Sequence, residues 1–395
     1  MRFQTLPPLS LYVHLPWCVR KCPYCDFNSY RAPAALAEDA YVQALLRDFE
    51  AEAELAQGRA LASVFIGGGT PSLFSGEAIA RLLDGIRARA RLSADAEVTL
   101  EANPGAVETE RFAAYRMAGV NRLSIGIQSF RNLKLKALGR VHDAREAALA
   151  GDDVVGALAD LAAAIALEPS HLSWYQLTLE PNTAFHRRPP SLPDEAGILE
   201  IETAGRALLA AHGFRRYEVS AYRRGEHGCV HNLNYWQFGD YLGIGAGAQG
   251  KVTIASDGSI LRRAKPRNPR TYVEQAGSAA AVSIERVDGE QRALEFMMNA
   301  LRLPDGIRPA LFEERTGLGL AAIAAPLRAA AARGWLRADT ERIEPTPAGL
   351  TLLNSMLELF VPEPGPSAKA RAHDRHSPAL AALGAADRST TDQPL

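Results

Sequence analysis

The sequence predicts an α/β chain in which a partial (β/α) barrel is followed by a small helical, winged-helix-like domain. Three observations predict it. Strand and helix signals alternate up to about residue 222, which argues for repeated βα units and a parallel sheet or barrel. The strand patterns keep polar residues on one face and apolar residues on the other, whereas a strand in a doubly wound sheet is apolar on both. Helical patterns around Gly306, Gly317, Gly334 and Gly349 then fill residues 291–360, with a short hairpin near Leu336 to Ile343.

The elements follow in order. Ser10 to His14 alternates as a short strand, and Pro16 turns the chain into a loop holding Cys18, Cys22 and Cys25. A helical stretch covers Ala34 to Gln57, before the apolar strand Ser63 to Ile66 and the triple glycine Gly67 to Gly69, which must turn. Ser75-Gly76-Glu77 opens another helix. Glu97 to Glu101 is a strand with its polar residues on one face, ended by Asn103-Pro104-Gly105. Asn121 to Gln128 is a fourth strand, with Ser124, Gly126 and Gln128 on one face and Leu123, Ile125 and Ile127 on the other. Polar inner faces with apolar outer ones suit a wide barrel whose interior holds a polar ligand. Leu172 to Leu179 and Arg216 to Ala221 are the last strands expected, with a helix over Asp194 to His212 between them.

Residues 225–251 are rich in Gly, His, Asn and aromatics, too irregular for regular elements and too apolar for disorder, so an ordered functional loop is expected there. The expected units are therefore a barrel over 1–222, a motif loop and connector over 223–285, a helical domain over 286–361 and a disordered tail over 362–395.

Composition limits the function. The 395 residues carry 44 basic and 45 acidic side chains, a net charge of −1, which disfavours nucleic-acid or membrane-surface binding. A winged-helix nucleic-acid reader would need a basic stripe that the C-terminal region lacks. No apolar run reaches the length of a membrane span and the start has no secretory layout, so a cytoplasmic protein is expected.

Three of the four cysteines crowd into Cys18-x3-Cys22-x2-Cys25, and Cys229 stands alone. That is no disulfide framework. Three thiolates on a tight loop suit a four-iron, four-sulfur cluster with one iron left open, while structural zinc would need a fourth ligand such as His14. Inert thiols are the bland alternative. Gly67 to Thr70 at a strand end gives backbone free for a close approach, although most glycine clusters are only turns.

The cysteine loop, with Tyr24 before its last cysteine, resembles the signature of radical SAM proteins. The likeness extends over Leu9 to about Phe360 and is strongest in Tyr12 to Asn28, Phe65 to Leu73, Glu101 to Gly105, Arg122 to Phe130, His171 to Thr183 and Cys229 to Gly250. Within that superfamily the chain is similar to the oxygen-independent coproporphyrinogen III oxidase-like branch, and there to the HemW-type heme chaperones. The resemblance implies the radical SAM type of partial barrel, with Cys18, Cys22 and Cys25 holding the cluster. It also implies reductive cleavage of S-adenosylmethionine to a 5′-deoxyadenosyl radical. It assigns Tyr12, Gly69, Thr70, Glu101, Gln128 and Arg140 to S-adenosylmethionine. A plain internal ion pair between Glu101 and Arg140 is the alternative. In the motif His231-Asn232-x-x-Tyr235-Trp236 it assigns His231 to heme, a cargo delivered to heme-requiring respiratory enzymes, with peripheral membrane contact through them. An ordinary hydrogen-bonded histidine is the alternative there, and Cys229 is the weaker candidate.

The rival activity is oxidative decarboxylation of coproporphyrinogen III by a dehydrogenase, so whether the chain is an enzyme stays open at this level. The dehydrogenases add a fourth cysteine where this chain has Phe27. Two departures from the chaperone group bear on function. Between Gln128 and Leu172 the sequence shows helical patterns, Ala144 to Ala150 and Val154 to Leu167, and no strand. One barrel strand near 143–155 is therefore expected to be missing, together with an aspartate that contacts the ribose. Gln249 stands where the chaperones usually carry His.

Overall fold

The fold is that of a computed structural model of the chain, which describes residues 3, 5–104 (backbone alone at 106–110), 106–131, 134–135, 138, 153–226 and 228–362. Its strands are β1 (Leu9–Leu15), β2 (Trp17–Cys18), β3 (Tyr30–Arg31), β4 (Leu61–Gly68), β5 (Leu92–Ala102), β6 (Arg122–Ile125) and β7 (His171–Ser173). There follow β8 (Arg215–Glu218), β9 (Ala221–Arg223), β10 (Asp240–Ile244), β11 (Gln249–Thr253), β12 (Ile260–Ala264) and β13 (Ser283–Arg286). An eight-stranded sheet has the order β13-β12-β11-β10-β1-β4-β5-β6. It is parallel from β10 across β1, β4 and β5 to β6, and antiparallel from β10 to β13.

Each parallel strand is two-faced. Ser10 lies beside Ser63, Tyr12 beside Phe65, Ser63 beside Glu97 and Glu101 beside Ser124, so these residues share the inner face. On the outer face Leu11, Val13, Val64, Ile66, Val98, Leu100, Leu242 and Ile244 form one buried core. The helices Glu38–Glu52 and Gly76–Arg87 cover it with apolar stripes at helical spacing, Tyr41, Val42, Leu45 and Phe49 on one and Ala78, Ile79, Leu82, Leu83 and Ile86 on the other. Ser75 starts the second of them, its Oγ accepting the N–H of Ala78 at 3.2 Å. A buried Leu, Ile or Phe is worth about 1.5–3 kcal/mol, so this layer, rather than the polar inner face, holds the barrel together.

Four expectations change. The fourth strand ends at Ile125 rather than Gln128, because Gln128 takes a φ of +64°, which no strand residue adopts. Of the stretch expected from Leu172 to Leu179, only His171–Ser173 is strand, and Arg216 to Ala221 divides between β8 and β9. These form a separate antiparallel sheet, β7-β9-β8, so they do not extend the barrel sheet to residue 222. The supposed irregular loop of 225–251 instead contains the helix Val230–Trp236 and the strands β10 and β11. Glycine hides that strand pair from the sequence: a Cβ on Gly243 would stand 2.0 Å from the Gln249 carbonyl oxygen.

Among the described residues no strand separates β6 from β7 in the chain, and β6 ends the sheet. Its outward Leu123 and Ile125 are 37% and 42% exposed, unlike their counterparts on every inner strand. Ala144 to Ala150 lies outside the described residues, whereas Val154–Ala166 is helical, capped by Asp153, whose Oδ1 accepts the N–H of Gly156 at 2.8 Å. The C-terminal region packs the helices Gly289–Ala300, Pro309–Thr316 and Ala324–Ala332 and the hairpin Leu336–Ala338 with Ile343–Pro345 around Phe296, Phe312 and Met356. Among the described residues no helix is long and apolar enough to cross a membrane. The tail from 363 lies outside the described residues.

Candidate functional site

The cysteine loop leaves the end of β1 and closes on itself through the two-residue parallel ladder of β2 with β3. Cys25 N–H donates to the Cys22 carbonyl at 3.1 Å, and Lys21 Nζ donates to the Phe27 carbonyl at 3.0 Å. The three thiols are half-buried and near enough for Cys22 and Cys25 each to perturb Cys18. Burial pushes the Cys18 thiol up, partly offset by hydrogen bonds from the Thr70 and Ser29 hydroxyls. The loop alone therefore does not favour the thiolate, and positive charge on iron would have to supply that. Among the described residues no three His, Cys, Asp or Glu side chains could hold a single metal ion. A cluster whose irons each take one thiolate does not require them to converge, so the donor set suits the cluster better than mononuclear zinc. His14, the candidate fourth zinc ligand, is engaged at both ring nitrogens: Nε2 donates to the Asn28 carbonyl at 2.9 Å, so Nδ1 accepts the Tyr12 hydroxyl at 2.9 Å.

The triple glycine is a packing joint. Gly69 N–H donates to Leu15 O at 2.8 Å and Thr70 N–H to Trp17 O at 2.7 Å, which staples the end of β4 to the loop. A Cβ on Gly69 would lie 2.6 Å from the Trp17 carbonyl oxygen, and Gly68, at φ +117°, would put one 2.6 Å from the His14 ring. Thr70 is buried, and its Oγ1 accepts from Asn103 Nδ2 at 3.0 Å.

Around this mouth stand Tyr12, Glu101 and Gln128. Glu101 Oε2 accepts the Gly68 N–H at 3.1 Å, and burial pushes its carboxyl up. Burial, followed by the nearby Glu101, pushes the Tyr12 phenol up, so it remains a donor. The Gln128 Oε1 and Thr99 Oγ1 atoms are buried without a hydrogen-bond partner among the described residues. Orphaned polar atoms inside a polar barrel are where a polar ligand or water belongs. The cradle therefore fits S-adenosylmethionine. The loop after Gln128 is anchored by Asp160, which accepts from Ser129 Oγ at 2.6 Å and Phe130 N–H at 2.8 Å. Arg140 lies outside the described residues.

His231 lies inside the barrel on the helix Val230–Trp236, its ring centroid 6.3 Å from that of Tyr12. Its ring stacks on Phe65 at 4.7 Å between centroids, tilts against Tyr235 at 5.0 Å, and is 5% exposed. Ser63 Oγ stands 3.3 Å from Nδ1 while donating to Ser10 Oγ at 2.8 Å. Nδ1 is then the protonated nitrogen, and Nε2 carries the lone pair that an iron would take. Glu97, not singled out from the sequence, receives hydrogen bonds from residues 229–231. The signal for it was its place beside Thr99 and Glu101 on the polar face of one strand. Gln249 opens β11 and is exposed.

Burial lowers the pKa of His231 to about 3, and burial followed by Arg122 lowers that of His171 to about 4, against 6.5 for a free side chain. Between those values and 6.5 the unfolded chain binds protons that the folded chain refuses, so stability falls as pH drops below about 6.5. Urea unfolding of cluster-free protein should give a lower midpoint at about pH 5 than at about pH 7. His231→Gln should narrow that difference; an equal difference in the variant would contradict the assignment.

A model of the radical SAM superfamily matches residues 12–155, and a model of the HemN C-terminal domain matches residues 287–352. The chain is 48% identical over 379 residues to the heme chaperone HemW of Escherichia coli, covering 91% of this chain and 99% of that protein. It is 43% identical to the heme chaperone HemW of Haemophilus influenzae, again covering 91% and 99%. The mitochondrial radical S-adenosyl methionine domain-containing protein 1 of Bos taurus is 38% identical over 65% of this chain and 63% of its own length. Among solved structures, the coproporphyrinogen III oxidase HemN of Escherichia coli superposes with a TM-score of 0.74 over 90% of each chain at 22% identity, a likeness of fold.

Proposed function

The chain belongs to the HemW family of radical SAM proteins, and on that premise we propose that it is a heme chaperone, binding heme and delivering it to heme-requiring respiratory enzymes. The observation that supports this most is the His231 motif. Its helix is packed against the inner face of β4, the strand whose far end carries the cluster cradle, so one barrel serves both ligands. In this reading Cys18, Cys22 and Cys25 hold a four-iron, four-sulfur cluster, and Tyr12, Gly69, Thr70, Glu101 and Gln128 form the S-adenosylmethionine side of the mouth. When bound, the cluster supplies one-electron reduction of S-adenosylmethionine. The residues orient that ligand: Gly69 and Thr70 leave backbone close to the loop, Glu101 offers an acceptor to an amino group, and Gln128 offers a buried carbonyl oxygen. His231 ligates heme through Nε2, flanked by Tyr235 and Trp236.

Phe27, 59% exposed where the dehydrogenases place a fourth cysteine, argues for delivery rather than decarboxylation. The test is anaerobic incubation of cluster-reconstituted protein with S-adenosylmethionine, reductant and coproporphyrinogen III, followed by chromatography, alongside heme titration. The expected result is no decarboxylated product, together with heme binding that His231→Ala weakens at least about tenfold, a loss of about 1.4 kcal/mol. Protoporphyrinogen-derived product would make the chain a dehydrogenase, and unchanged heme binding in the variant would remove His231 as the ligand.

A further inference from the structure

One carboxylate inside the barrel gathers the start of the segment that carries the heme histidine, while the Tyr217 hydroxyl accepts the Cys229 N–H at 3.3 Å and the Asp240 carbonyl accepts Asn234 Nδ2 at 2.8 Å. Glu97, on the inner face of β5, accepts the Val230 N–H at 3.1 Å, the His231 N–H at 3.2 Å and the Cys229 thiol at 3.2 Å. Arg122 Nη1 stands 3.7 Å from the same carboxylate on the lumen side. Burial, then Glu97, pushes the Cys229 thiol up to about 12, so it stays a donor to that carboxylate at any ordinary pH. The imidazole itself is closed in by Phe65, Tyr235 and Ser63. A planar macrocycle needs an open approach to Nε2, and a ring with 5% of its residue surface exposed offers none.

We propose that Glu97 is a latch, a positioning residue that keeps residues 229–236 closed in the barrel, and that heme is taken up by an open arrangement in which this segment has left Glu97 and Ser63. The proposal rests on His231 being the heme ligand. Charge-assisted hydrogen bonds are roughly twice as strong as neutral ones, so three donors on one carboxylate beside a guanidinium weight the segment toward the closed arrangement. Apparent heme affinity is then the intrinsic affinity reduced by the small open fraction. Removing the latch enlarges that fraction without touching the ligand.

The experiment uses the full chain with its cluster reconstituted, ferric heme as the probe, and stopped-flow and equilibrium titrations of wild type, Glu97→Gln and Glu97→Ala, each also in a His231→Ala background. Amide exchange at residues 229–236 is followed in parallel. Glu97→Ala should speed heme association and tighten apparent Kd by at least about tenfold. Glu97→Gln, which keeps an acceptor oxygen but not the charge, should fall between. Both gains should vanish with His231→Ala. Heme binding by Glu97→Ala that is unchanged or weaker, while His231→Ala alone is impaired, overturns the latch and leaves the ligand standing. Wild-type binding by His231→Ala alone overturns the ligand assignment and the latch with it. If Glu97→Ala does not fold, Glu97→Gln and Ser63→Ala carry the same expectation, and failure of both to speed association overturns the proposal.

Discussion

Cys18→Ser should abolish the iron–sulfur cluster. Chemical reconstitution of the wild-type chain should give about four irons per chain, and the variant less than about one. The reason is the size of the donor set. The loop offers three thiols and, among the described residues, no further metal-binding group gathers with them, so the loss of one leaves a cluster with two open irons. His14 cannot take its place, because both ring nitrogens are already committed to Asn28 and Tyr12. Cys229→Ser is the control. Its thiol is 3% exposed and bonded to Glu97 in the lumen, so iron content should not change. Iron and sulfide analysis, with electron paramagnetic resonance of the reduced protein, reads the result. Full iron in Cys18→Ser would mean that the ligands lie elsewhere.

The largest effect on stability is expected from Asp240→Ala, at about 3–5 kcal/mol. Asp240 is fully buried at the start of β10, where Arg59 Nη1 reaches it at 2.7 Å and Lys251 Nζ at 3.0 Å. Thr253 adds its N–H at 2.9 Å and its hydroxyl at 3.0 Å. Removing the carboxylate strands two cations, one of them a lysine only 2% exposed, above the Phe238 ring. An unpaired buried charge costs more than the pair ever contributed, so Lys251→Met in the Asp240→Ala background should recover part of the loss. Urea unfolding of the single and double variants separates the two outcomes. A single variant within about 1 kcal/mol of wild type would show that water or rearrangement already solvates the lysine.

The reading of the chain from its residues succeeded where the signal is local. The turn at Gly67 to Gly69, the helices starting at Ser75 and Asp194 and the polar-in, apolar-out alternation of β5 are each written within a few residues. The alternation was enough to place Glu97, Thr99 and Glu101 on one inner face. It could not say that Glu97 meets residues 229–231, because that contact depends on a segment far along the chain folding back into the lumen. β10 was missed for a similar reason. Gly243 and Gly245 carry no side-chain pattern, and this strand is defined by parallel pairing with β1, where Leu11 lies beside Leu242 and Tyr12 beside Gly243.

The sequence by itself determined the family and the two-layer chemistry of the barrel wall, since each depends on residue type and short spacing. Only the tertiary structure decided that β7, β8 and β9 form their own sheet, that Leu123 and Ile125 of β6 stay partly exposed, and that His231 lies closed against Phe65. Those outcomes depend on which distant backbone hydrogen bonds and ring contacts win the competition for a partner, a sum over the whole chain that no short window of residues contains.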